Sequence, residues 1–153
     1  MLRLPLAITL IAAATPAARA QSADPWTGTW TLDLARSSTA AKDGAADAYR
    51  FTLTPDGAIT WEIPSLGEVV TGHVDGKPMQ IRRATPTPGL TLAVSRGGPR
   101  TLLYNVARNG HIEGGGSMTL VDGNSAWVDL TWGGGNPYDG AEIVYVKAAG
   151  GQP

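Results

Sequence analysis

The stretch YRFTLTPDGAITWEI, residues 49–63, decides the fold class. Apolar and polar side chains alternate on both sides of Pro55-Asp56-Gly57. Because a strand points successive side chains to opposite faces, each half is typical of a strand with one buried face. Proline presets φ and glycine accepts a positive φ, so the residues between the two halves predict a turn. The stretch is therefore expected to form a β-hairpin.

The same alternation continues along the chain in both directions. Asn109-Gly110 and Asp122-Gly123-Asn124 are further hairpin turn signals, and no segment has a convincing helical pattern. About nine or ten short strands joined by hairpins are typical of a sandwich or a barrel. Successive hairpins favour an all-β, up-and-down antiparallel β-barrel of about 8–10 strands. The other alternating segments are residues 26–34, 70–74, 79–82, 90–94, 102–106, 118–120, 126–132 and 141–147.

The alternation also predicts which side chains face the barrel interior. Trp26, Trp30, Leu32 and Leu34 share one face of the first strand. In segment 126–132 the interior face is assigned to Ala126, Val128, Leu130 and Trp132, and the outer face to Trp127, Asp129 and Thr131. Asp75 to Pro78 is expected to be a turn, and Gly114 to Gly116 a bulge or loop.

Composition and charge exclude several classes of function. The chain has 153 residues, with 12 Lys+Arg and 13 Asp+Glu, a formal net charge of -1 and no cysteine. Nucleic-acid binding is not expected, because it needs a basic face. Without cysteine there is no disulfide, no thiolate metal site and no cysteine nucleophile.

Residues 1–20 have the pattern of a secretory signal peptide. One positive charge at Arg3 precedes an apolar run, and Ala18-Arg19-Ala20 supplies a small-x-small cleavage site. The run is too short for a membrane span, which needs ~20 residues. We therefore expect residues 21–153 to form one exported domain, periplasmic or secreted, monomeric and without a membrane span.

Residues 24–37, DPWTGTWTLDLARS, resemble the opening of small exported bacterial lipocalin-like proteins. Gly28-Thr29-Trp30 also matches the G-x-W motif with which the calycin superfamily begins its barrel. The resemblance implies that Trp30 closes one end of the barrel. The T-D-Y-type motif and the disulfide of true lipocalins are absent from the sequence, so the resemblance is to a lipocalin-like barrel. The family brings no catalytic residues.

Aromatic and aliphatic side chains on the predicted interior face are the candidate ligand-binding residues. Barrels of eight or more strands can hold a small ligand, so a small apolar molecule is the expected partner and no cofactor is expected. The sequence leaves open whether the interior is hollow or filled. The candidates are Trp30, Leu32, Phe51, Trp61, Leu92, Tyr104, Trp132 and Tyr145.

Two other functions remain open. An exposed aromatic patch near Trp127 or Tyr138 would favour a protein-binding module, such as an inhibitor of a secreted hydrolase. A perturbed carboxylate inside a cavity would favour a barrel isomerase or cyclase, for which the sequence shows no acid–base pair.

The remaining polar residues give weaker signals. His73 and His111 are expected on the surface, so neither a metal site nor a haem site is predicted. Arg82 and Arg83 are expected to be solvated loop charges, with an anion site at the barrel mouth as the alternative.

Overall fold

A computed structural model describes residues 23–39, 45–134 and 140–149. The predicted signal peptide lies outside the described residues. Within these residues the chain forms ten antiparallel strands, and the 3-10 turns Pro64–Leu66 and Asp122–Asn124 lie between strands. The strands are β1 (Gly28–Leu32), β2 (Ala48–Leu53), β3 (Ala58–Ile63), β4 (Glu68–His73), β5 (Asp75–Gln80), β6 (Leu90–Gly98), β7 (Thr101–Arg108), β8 (His111–Val121), β9 (Ala126–Gly133) and β10 (Ala141–Lys147).

The ten strands form one nearly closed up-and-down barrel. Their order in the sheet is β4-β3-β2-β1-β10-β9-β8-β7-β6-β5. The two outermost strands approach each other where Val69 and Arg82 exchange backbone hydrogen bonds, with N···O distances of 2.8 and 3.0 Å. The predicted all-β, antiparallel barrel is confirmed. Within the described residues no helix is long and apolar enough to cross a membrane.

The two ends of the barrel differ in the length of their connections. The hairpin turns after β2, β4, β6 and β8 are short and lie at the end where the chain enters β1, which we call the closed end. The connections after β1, β5 and β9 are longer and join strand ends at the opposite end, which we call the open end.

Aromatic side chains fill the closed end. Trp26, Trp30 and Trp127 are fully buried, and their ring centroids lie 6.3–6.5 Å apart. Trp127 also stacks on Tyr145 at 4.2 Å. The indole N–H of Trp30 donates to the Trp26 carbonyl at 2.9 Å, and the Lys147 ammonium lies 4.9 Å from the Trp30 ring centroid. Trp30 thus lies where the resemblance implies.

The predicted faces of β9 are wrong. Trp127 and Asp129 are buried inside the barrel, whereas Leu130 is 54% exposed on the outer face. The pairing with β8 fixes this orientation, because Trp127 lies opposite Leu120 and Asp129 opposite Met118. Both partners on β8 are interior residues, and directly paired residues share a face of the sheet.

Three local predictions also need correction. Leu34 is 50% exposed, because β1 ends at Leu32 and the Asp33 carboxylate accepts the backbone N–H groups of Ala35 and Arg36. Residues 75–78, predicted as a turn, belong to β5, with a register shift between Asp75 and Pro78. Residues 114–116 lie inside β8, next to a register shift against β7.

Candidate functional site

The open end of the barrel keeps part of its interior accessible. Several of its inward-facing side chains are partly exposed, although Leu90 is buried, whereas most of those at the closed end are buried. We call this accessible region the open-end cup. Its residues are Tyr49, Ile63, Ile81, Tyr104, Val106, Thr131 and Ala141.

Glycines on β8 let groups from the neighbouring strands pack closely against this wall of the barrel. Gly114 pairs with Val106, and Gly116 lies between Tyr104 and Thr131 of the neighbouring strands. Since glycine has no side chain, this wall of the barrel contributes only backbone to the interior. A Cβ atom at Gly116 would lie 2.7 Å from the Tyr104 hydroxyl oxygen, so the glycine lets this hydroxyl approach the wall closely.

A buried tyrosine–aspartate pair forms the polar floor of the cup. The Tyr104 hydroxyl donates to Oδ2 of Asp129 at 2.9 Å, and Asp129 is only 4% exposed. Oδ1 of Asp129 is buried and has no hydrogen-bond partner. Buried polar atoms normally have a partner, so an orphaned carboxylate oxygen is a candidate functional feature.

Burial makes Asp129 the group of the cup that titrates near neutrality. Desolvation raises its pKa to about 7, and the hydrogen bond from Tyr104 lowers the pKa in part. Desolvation also raises the pKa of Tyr49, Tyr104 and Tyr145 well above the ordinary tyrosine value. The three phenols therefore stay neutral while the carboxyl changes its charge.

The pKa of Asp129 predicts a pH dependence of stability. It is raised in the folded state, so the protonated carboxyl stabilises the fold at low pH. That stability is lost as the pH rises from about 4, where the unfolded state ionises, through about 7. Denaturant unfolding at several pH values should show this loss in the wild type, and Asp129→Asn should remove it. An equal loss in both proteins would contradict the assignment.

An ion pair lies at the rim of the cup. Arg83 lies 2.5 Å from Glu68, whose side chain is 11% exposed. The expectation of a solvated Arg83 is therefore wrong, because the register of β4 brings a carboxylate beside it. A groove of about 380 Å³ beside the rim is lined by Tyr49, Ile63 and the segment 45–47.

No family model matches the chain, and no curated protein matches it. The ten-stranded, nearly closed antiparallel barrel is compatible with a lipocalin-like fold.

Most of the predicted ligand-binding residues face the interior. Within the candidate set Trp132 is the exception: it pairs with Gly115 on the outer face, because the faces of β9 are reversed. Tyr104 lies in the cup, and Trp61 lies beside it with ring centroids 5.7 Å apart. The other inward-facing candidates lie in or against the packed core: Trp30, Leu32, Phe51, Leu92 and Tyr145.

Sequence reasoning missed Tyr49, Glu68, Asp129 and Thr131. The available signal was the glycine pair on β8. Gly114 and Gly116 share the alternation of Met118 and Leu120, which marks interior positions without side chains. Among the described residues, no three His, Asp or Glu side chains are grouped to hold a metal ion.

Proposed function

We propose that this chain is a lipocalin-like binding protein that holds a small, largely apolar molecule in the open-end cup. The observation that carries the proposal is the contrast between the two ends of one barrel. Fully buried aromatic rings close one end, and partly exposed inward-facing side chains line the other.

The composition of the cup supports a ligand of this kind. Small-molecule sites are mostly apolar and carry a few placed polar groups that fix the orientation. Here Ile63, Ile81, Val106 and Ala141 supply apolar surface. The Tyr104–Asp129 pair supplies a single polar anchor at the floor.

A neutral fluorescent probe tests the proposal. N-phenyl-1-naphthylamine should bind the wild type saturably with enhanced fluorescence. Val106→Trp should abolish this binding, because the new indole fills the cup. Leu103→Trp is the matched control: it lies on the same strand but faces outward, 42% exposed, and should bind the probe like the wild type.

Circular dichroism of both variants checks that the barrel is intact. Absence of saturable binding to the wild type would contradict the proposal. Equal binding by a folded Val106→Trp variant would contradict it as well, because the probe would then lie elsewhere.

A barrel isomerase or cyclase is the second candidate. The specific observation that favours it is a buried carboxyl, with a pKa of about 7, that accepts a hydrogen bond from Tyr104. Such a pair is suited to proton transfer at a carbon next to a carbonyl. Deuterium exchange from heavy water into a panel of cyclic ketones tests it. Exchange that Asp129→Asn abolishes supports catalysis, and no exchange above the buffer rate argues against it.

The protein-binding alternative receives less support. An exposed aromatic patch near Trp127 or Tyr138 is the feature that would favour it. Trp127 is fully buried, and Tyr138 lies outside the described residues.

We also propose that the chain is exported and that its signal peptide is removed after Ala20. The apolar run and Ala18-Arg19-Ala20 motivate it. Intact mass and N-terminal sequencing of exported, monomeric material should give a mature chain that begins at Gln21. An exported protein that begins at Met1 would contradict processing at this site.

A further inference from the structure

The hydrogen-bonding capacity left over at the floor of the cup, where Tyr104 and Asp129 lie, is that of an acceptor. Three hydroxyls already donate within the protein: Tyr104 to Asp129, Thr131 to the Gly115 carbonyl and Tyr145 to the Ala46 carbonyl. The Tyr104 oxygen keeps an accepting lone pair, and behind it Oδ1 of Asp129 has no partner. A ligand group that reaches this floor therefore meets acceptors, and it must donate.

The charge of the cup is negative when Asp129 is ionised. At the rim, Glu68 is neutralised by Arg83. No lysine, arginine or histidine among the described residues forms an ion pair with Asp129. A buried carboxylate without a partner is costly, so a cation that enters the cup is favoured.

Aromatic rings lie beside Tyr104, the residue that donates a hydrogen bond to this carboxylate. The Trp61 ring centroid lies 5.7 Å from that of Tyr104 and 5.6 Å from that of Tyr49, in edge-to-face arrangements. The negative face of an aromatic ring attracts a cation within about 6 Å of its centroid. The rings and the carboxylate thus favour the same kind of ligand group.

We infer that the open-end cup takes an organic ammonium ion, an amine on an apolar or aromatic skeleton. Its N–H group donates to the Tyr104 oxygen. The Asp129 carboxylate, which accepts the hydrogen bond from the Tyr104 hydroxyl, is the buried counter-ion. This inference rests on the proposed function, since it names the ligand class of the same cup.

The titration of Asp129 governs the pH dependence of binding. The titratable groups that face Asp129 are Tyr104 from β7, Tyr49 from β2 and Tyr145 from β10. All three phenols are neutral between pH 5 and pH 8, because burial raises their pKa. β8 contributes Gly116 and Met118, which do not titrate. An alkylammonium stays protonated from pH 5 to pH 8. Its affinity should therefore follow the ionisation of Asp129 and rise about 100-fold over that range.

Three probes of nearly equal size test the inference: 2-phenylethylamine, 2-phenylethanol and phenylacetate. Their affinities are measured by calorimetry at pH 5 and pH 8 with wild type, Asp129→Asn and Glu142→Gln. The wild type should prefer the amine at pH 8. Asp129→Asn should weaken amine binding at least about tenfold and remove its pH dependence. Glu142→Gln removes an exposed outer carboxylate and should bind the amine like the wild type.

The other outcomes separate the two proposals. Equal affinities for the amine and the alcohol would overturn the ammonium inference and leave the binding function standing. Preference for phenylacetate would also overturn the inference. Binding of none of the three would overturn it as well, and the naphthylamine experiment then decides whether the cup binds any ligand.

Discussion

Replacing Trp127 with alanine should lower the free energy of unfolding by about 3–5 kcal/mol. The side chain is fully buried, stacks on Tyr145 at 4.2 Å and lies edge-to-face with Trp30 at 6.5 Å. Its removal loses the burial of a large apolar surface and leaves a cavity in a closely packed cluster of aromatic rings. Trp30→Ala should cost a similar amount, because that indole is equally buried.

Trp132→Ala is the matched control for Trp127→Ala. It removes the same residue type from the same strand, but from the partly exposed outer face. Denaturant unfolding, followed by far-UV circular dichroism, should give it less than half the loss seen for Trp127→Ala. If Trp132→Ala destabilises the barrel as much, the orientation of β9 is wrong.

Gly116→Ala should destabilise the barrel and disrupt the floor of the cup. The new Cβ atom would lie 2.7 Å from the Tyr104 oxygen, 2.8 Å from Oδ1 of Asp129 and 2.8 Å from the Leu130 carbonyl oxygen. The last of these is backbone, so the strands themselves must shift. Overpacking of this kind costs about 1–3 kcal/mol. The displaced Tyr104–Asp129 pair should also weaken binding of the naphthylamine probe.

Gly133→Ala is the control for the glycine substitution. It lies on the adjacent strand, where a Cβ atom meets nothing within 4 Å and φ is not in the left-handed region. Its unfolding midpoint and its probe binding should match the wild type. A Gly116→Ala protein that unfolds at the wild-type midpoint would contradict close packing of this wall against Tyr104 and Asp129.

The architecture could be predicted from sequence because its signals are local. Alternation over residues 49–63 and the turn Pro55-Asp56-Gly57 specify a hairpin without knowledge of the rest of the chain. The hairpin formed as predicted, with Phe51 opposite Trp61. The same local rules failed at residues 75–78. Gly76 and Pro78 are typical of turns, and Gly76 does have a positive φ of 79°, but pairing with β6 places the segment in β5 as an irregularity of the strand.

The candidate site could not be predicted, because it depends on which face of β9 is inside. That strand is apolar on one side and has tryptophan, aspartate and threonine on the other, so hydrophobicity favoured the wrong face. Pairing with β8 orients Asp129 inward, and the hydrogen bond from Tyr104 stabilises its buried carboxyl group. Both are contacts between strands, which alternation along one strand does not specify.

The ionisation of Asp129 tests the central claim most directly. Carbon-13 NMR of aspartate-labelled protein, with Asp129→Asn to assign the signal, gives the pKa of this carboxyl with and without 2-phenylethylamine. We expect a pKa of about 7 in the free protein and a lower pKa with the amine, because the ammonium stabilises the carboxylate. An ordinary aspartate pKa of about 4 in both states would contradict the account.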